Sequence, residues 1–257
     1  MGRTSTILVS LGLLIVVPLS AAPETTPAQA AMASSPELVQ QRDWHSVHPN
    51  VASRSVPKAA SYLLVEAGGA MVHSWPGGPA SGSIPSATEL GTPTWVWAVS
   101  TTPRGGWAKV VLPGLPNNRT GWIHLAGLEL RRSAWSVRAI LHTHTLLLLD
   151  RAHVTRRFTV GVGAPDSPTP IGRFNVTDLV YTGDPSGPFG WYAFGLSGHQ
   201  PNLPPGWSGG TQLAIHGTNI PSSIGGNQSA GCLHLSAYAL GVLKAHLVLG
   251  TPVVIQP

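Results

Sequence analysis

The 257-residue chain contains a single cysteine, Cys232, in the run Ser229-Ala230-Gly231-Cys232-Leu233-His234-Leu235. Sixteen positions upstream, Ile215-His216-Gly217-Thr218 closes a short stretch of strand-forming residues. A thiol becomes an effective nucleophile when a neighbouring imidazole holds or takes its proton, so this pair could carry acyl chemistry. Gly231 lets the backbone approach closely just before the thiol, where amide N–H groups can face a developing oxyanion. Ser229 can brace the turn. The competing reading of a lone cysteine is a small, buried apolar residue. A third reading is a zinc site built from His216, Cys232 and His234, with His142 and His144 as further imidazoles. Closed zinc sites tend to show paired Cys/His spacings, whereas here one Cys-x-His and a distant His-x-His occur. The reading without metal or cofactor is therefore preferred.

The elements that must position these residues are β-type. Gly (30) and Pro (24) make up about a fifth of the chain and charged residues only 10%, which argues against helical bundles and coiled coils. The net charge of +5 is spread along the chain without Lys/Arg stripes, a poor pattern for nucleic-acid binding. It suits an acidic polymer surface equally well. Arg3, the apolar run Ile7–Leu19 and the small residues Ser20, Ala21, Ala22 and Ala28-Gln29-Ala30-Ala31 have the order of a secretory signal peptide. The expectation is an exported protein whose signal peptide, within residues 1–30, is cleaved after Ala21 or after Ala30; an uncleaved membrane anchor is the alternative. Residues 31–59 read as a linker or partly ordered lead-in. Short strands over 60–132, separated by Pro/Gly turns, predict a small barrel or sandwich. Over 133–257 the pattern predicts strands near 137–151, 157–161, 172–176, 213–215 and 253–255, and one helix over Ser236–Leu247 with Leu240, Leu243 and Leu247 on one stripe. Residues 181–211 show almost no periodicity and many Gly, Pro and aromatic residues, so they read as a long loop acting as an active-site lid.

Two resemblances follow from these residues. The stretch from Thr94 through Gly106-Trp107-Ala108-Lys109-Val110 to Thr120-Gly121-Trp122-Ile123 resembles the bacterial SH3-like modules of cell-wall enzymes. Trp95, Trp97, Trp107 and Trp122 could stack on sugars or peptides, although a core this small also needs large rings. His-Gly-Thr followed by Ser-x-Gly-Cys, together with Gly161–Gly163, Thr169-Pro170-Ile171-Gly172-Arg173-Phe174 and Leu249-Gly250-Thr251-Pro252-Val253, resembles the L,D-transpeptidase catalytic (YkuD-type) domain. The implied architecture is mainly β: a small SH3-like barrel, then a YkuD-type β-sandwich or barrel with one or two short helices.

What the second resemblance implies is acyl transfer on peptidoglycan stem peptides by a monomeric enzyme without metal or cofactor. Cys232 would attack the carbonyl of the third residue of a stem tetrapeptide, release D-Ala, and pass the acyl group to an amine, cross-linking two stems. His216 would act as base and then acid, oriented by a carbonyl at or near Gly217. The amides of Gly231 and Cys232 would form the oxyanion hole. Thr218, His234, Tyr192 and His199 are the candidate substrate-binding residues, Tyr192 reading also as a core ring. Carbapenem sensitivity is the corresponding expectation. Two positions depart from the family pattern: Ala230 stands where a His is usual, and His234 where Arg or Asn is usual. These departures leave open a weakened or inactive wall-binding member. A sortase would need a longer His–Cys gap and a later Arg, and no Arg follows Cys232; papain-like wall endopeptidases place Cys before His.

Overall fold

The structure is a computed structural model and describes residues 61–257. The expected signal peptide (1–30) and lead-in (31–59) lie outside the described residues. In the first half, β1 (Tyr62–Glu66), β2 (Met71–His73), β3 (Ala80–Ser83), β4 (Trp95–Thr101), β5 (Trp107–Val111), β6 (Thr120–His124) and β7 (Glu129–Ser133) form one sheet in the order β3-β2-β6-β5-β4-β1-β7. Every pairing in it is antiparallel. Alternation places Val65, Val96, Ala98, Ala108, Val110 and Ile123 in its core, as expected for strands with one buried face. Trp107 and Trp122 instead share the other face with His73 and His124. Strands β3 and β7 carry no strong apolar alternation, and the sequence reading passed over them.

The second half contains β8 (Trp135–Ile140), β9 (Thr145–Asp150), β10 (His153–Thr159), β11 (Val162–Gly163), β12 (Gly172–Tyr181), β13 (Tyr192–His199), β14 (Gln212–His216), β15 (Asn227–Ser229), β16 (Leu233–His234), α1 (Ala237–Lys244) and β17 (Pro252–Gln256). Eight of these strands form a mixed sheet, β10-β9-β8-β17-β12-β13-β14-β16, and β11 pairs with β15 in a small parallel ribbon. Helix α1 begins where Ser236 accepts a hydrogen bond from the Ala239 amide, satisfying one of the free N–H groups of its first turn. It seals the core with Ala239, Leu240 and Leu243.

Two expectations need correction. The single strand-like run 137–151 is a hairpin, β8 and β9, joined by a turn at Leu141–His144. The long loop expected over 181–211 is interrupted by β13, which is buried from Tyr192 through Gly198. A strand covered on both faces has no polar–apolar alternation to betray it, and its two glycines disguise it further. Two loops remain, 182–191 and 200–211, and both contribute residues to the groove beside the site.

The two sheets are docked through side chains that imitate backbone. Asn117 donates to the His199 carbonyl at 2.7 Å and accepts from the His199 amide at 2.9 Å. Asn118 repeats the pattern on Ile171 O (3.0 Å) and Arg173 N (2.8 Å). Buried Asn175 donates to Trp95 O at 2.9 Å, and Thr88 donates to the fully buried Asp178 carboxylate at 2.6 Å. Through these contacts the β5–β6 loop, the start of β4 and the β3–β4 loop are held against the second sheet.

Candidate active site

Cys232 lies immediately before β16, which runs parallel to β14 with Ile215 opposite Leu233 and His216 opposite His234. Side chains alternate along a strand, so Ala214, His216, Cys232 and His234 share one face while Ile215 and Leu233 enter the core. The next pairing sets Ala193 opposite His216 and Gly195 opposite Ala214. The small side chains Ala193, Gly195 and Ala214 leave a groove of about 270 Å³ along this face. Cys232 lines that groove with Phe189, Ala230 and Trp207. His216 is buried behind it, 1% exposed, with the Phe189 ring edge-on at 5.0 Å and the His234 ring at 4.8 Å.

The imidazole of His216 is held in one tautomer. Its Nδ1 lies 2.5 Å from the Gly217 carbonyl; a carbonyl can only accept, so Nδ1 carries the proton and Nε2 the lone pair. Nε2 is buried and has no hydrogen-bond partner among the described residues. That is costly for an ordinary core histidine, and it is the state required of a base waiting for a proton. Burial, and secondarily the neighbouring His234, lower the His216 pKa to about 3, against the opposing pull of the Gly217 carbonyl. Burial likewise lowers His234 to about 4 and raises the Cys232 thiol to about 11, a backbone hydrogen bond from Ala214 partly offsetting the latter. At neutral pH the site therefore rests as neutral thiol and neutral imidazole. No hydrogen bond joins the two; catalytic contacts of this kind often tighten only around bound substrate.

The turn that presents the thiol is braced from three sides. Ser229 Oγ donates to Cys232 O at 2.6 Å and accepts from Gly231 N at 3.1 Å. The Gly231 amide expected at an oxyanion is thus committed to Ser229. Gly231 has φ +115°, and a Cβ there would meet Gln200 Nε2 at 2.2 Å; both facts demand glycine. Gln200, which the sequence reading missed, is buried and donates to the carbonyls of Ser167 (3.2 Å), Pro168 (2.9 Å) and Ala230 (3.3 Å). Its Oε1 accepts from Asn202 N at 3.0 Å, tying the 200–211 loop to the thiol turn. From the third side, β11 pairs with β15, and Thr169 Oγ1 accepts from Gly163 N at 2.8 Å, so the Thr-Pro-x-Gly segment buttresses the same turn.

The remaining candidates sit as follows. Gly217 packs so closely on Gly190 that a Cβ would lie 2.8 Å from the Gly190 Cα. Thr218 Oγ1 accepts from Ile220 N at 2.9 Å and serves its own turn. His234 Nδ1 lies 2.9 Å from Ser223 Oγ. His199 stands at the edge of the site, its Nδ1 2.7 Å from Thr211 Oγ1. Tyr192 does not line the groove: its neighbours Ala193 and Gly195 do, and its ring is buried in the core against Phe194, 5.0 Å away. Among the described residues no three of His, Cys, Asp and Glu converge in a way that could hold a metal ion, so the zinc reading of His216, Cys232 and His234 has no donor set to support it.

Residues 135–255 match the family model of YkuD, the L,D-transpeptidase catalytic domain. The YkuD protein of Bacillus subtilis is 32% identical over 147 residues, covering 57% of this chain and 74% of that protein. Its counterpart in Bacillus licheniformis is 28% identical over 148 residues, covering 58% and 74%. Among solved structures, an L,D-transpeptidase from Mycobacterium smegmatis aligns over 79% of this chain and 100% of its own, with 15% identity and a TM-score of 0.40.

Proposed function

The chain belongs to the YkuD family of L,D-transpeptidase catalytic domains, and from that premise we propose that it is an exported peptidoglycan L,D-transpeptidase with Cys232 as its nucleophile. The observation that carries this reading is the unpartnered, buried Nε2 of His216, pinned in the accepting tautomer on the sheet face whose groove exposes the only thiol.

Because both groups rest neutral, the thiol proton moves to His216 Nε2 as sulfur attacks the carbonyl of the third residue of a stem tetrapeptide. The Cys232 amide faces the oxyanion in place of the Gly231 amide committed to Ser229. His216 then returns the proton to the amine of D-Ala as the C–N bond breaks, leaving a thioester. In the second half, an acceptor amine attacks the thioester carbonyl, His216 takes its proton, and the C–S bond breaks. The thiolate recovers the proton. Ala230 and His234 supply neither base nor nucleophile in this scheme, so the departures from the family pattern leave it intact.

Incubation with a stem tetrapeptide, read by intact mass, should show a single adduct with loss of D-Ala. Cys232→Ala should abolish it while leaving stability within about 1 kcal/mol. His216→Ala should slow its formation by roughly 10²–10⁴-fold, the usual share of a positioned base. Turnover retained by Cys232→Ala would refute the mechanism. Absence of any adduct on the folded wild-type protein would favour a wall-binding role.

A further inference from the structure

The groove beside Cys232 is not built by the second sheet alone. Glu89 and Leu90, on the loop between β3 and β4, line its wall together with Leu203 and Trp207 of the 200–211 loop. Glu89 is the sole charged side chain among the lining residues, and apart from Cys232 none of the others titrates. Among the described residues no hydrogen bond or ion pair holds its carboxylate, and it is solvent-accessible. The charge of Glu89 reaches His199, whose pKa burial lowers and that charge raises in part. The loop is held in place: Thr88 donates to buried Asp178, Asp178 also accepts from Gln212 at 2.9 Å, and Gln212 itself lines the groove. A net-positive protein therefore places one fixed, unpaired negative charge in its otherwise uncharged groove, and does so from the first sheet.

We propose that Glu89 recognises a primary ammonium group of the stem peptide, which makes the N-terminal module part of the substrate site and a determinant of specificity. This rests on the acyl-transfer reading above and deepens it. The ammonium has two sources, the side chain of the diamino acid in the acyl donor and the amine of the acceptor. A carboxylate in contact with water and a peptide ammonium should favour the charged substrate about two- to fivefold, and the preference should shrink as salt screens it.

The test compares wild type, Glu89→Gln, Glu89→Lys and Glu89→Asp on stem tetrapeptides whose third-residue side-chain amine is free or acetylated. Thioester formation without acceptor, with the side-chain amine free or acetylated, reads the donor; the acceptor, whose amine is the nucleophile and stays free, is read by the KM of aminolysis and its salt dependence. Glu89→Gln is expected to erase the preference for the free amine in kcat/KM through KM, Glu89→Lys to invert it, and Glu89→Asp to keep part of it, with added salt weakening the effect wherever residue 89 is charged and leaving Glu89→Gln unchanged. A change in the donor step assigns the contact to the donor side chain, and one confined to aminolysis assigns it to the acceptor. Unchanged donor discrimination together with an unchanged acceptor KM for Glu89→Gln and Glu89→Lys overturns the inference while leaving the transpeptidase reading standing. If no peptide acylates wild-type Cys232, the transpeptidase reading fails and this inference falls with it.

Discussion

Alkylation of Cys232 as pH is raised gives the sharpest test of how the site rests. The thiol is surrounded by protein on all sides but the groove, and burial lifts its pKa from 9.0 to about 11, whereas His216, at about 3, cannot hold it as a thiolate. At pH 8 a thiol with pKa 9.0 is ionised to roughly one part in ten and one at about 11 to roughly one in a thousand, a ~100-fold deficit. Higher basicity returns part of this: with a Brønsted slope of about 0.4–0.5, each thiolate is some 6–10-fold more nucleophilic. The net expectation is iodoacetamide alkylation roughly 10–15-fold slower than for the unfolded chain at pH 8, before any restriction of access. Since Cys232 is the only cysteine, intact mass reports the rate without ambiguity, with the protein in denaturant as its own reference. The folded rate should climb about tenfold per pH unit well past pH 9. A plateau below pH 8, or folded protein reacting faster than unfolded, would refute the argument: the resting site would then be a thiolate–imidazolium pair, and the proton would have moved before substrate arrived.

Two further predictions concern the scaffold. His216 and His234 have folded pKa values near 3 and 4, below the ordinary 6.5, so the unfolded chain takes up their protons first. Their contribution to stability is complete above about pH 6.5 and is lost as pH falls towards 4, at up to about 1.4 kcal/mol per pH unit for each. A Tm that stays flat from pH 7 to 4.5 would contradict the burial assigned to both rings. Gly217→Ala would press a methyl to 2.8 Å from Gly190 Cα and 3.0 Å from Phe189 O, costing about 1–3 kcal/mol. It would also shift the carbonyl that pins His216, so denaturation and acylation should both suffer; wild-type values in both would remove Gly217 from the positioning of the base.

Much of the site was legible in residue order. The lone Cys232, the imidazole sixteen positions before it, the glycine at φ +115° and the Ser229 brace are all local in sequence, and their roles follow from chemistry that acts over a few bonds. The half-exposed strands were also legible, because alternation records which face meets water. Strand β13 was not, since burial on both faces removes that record. Nor were the residues whose importance lies in a distant partner. Gln200 reads as a loop glutamine until its amide is seen bridging Ser167, Pro168 and Ala230. Asn117 and Asn118 read as a turn until they pair with the second sheet, and Glu89 as a surface charge until that docking brings it to the groove.

The order of residues by itself determined the reacting groups, because nucleophile, base and turn chemistry are properties of side-chain types and short spacings. Tertiary structure alone decided their protonation and what else faces the substrate. A pKa depends on the solvent that packing removes, and a groove wall depends on which surfaces, far apart along the chain, are pressed together.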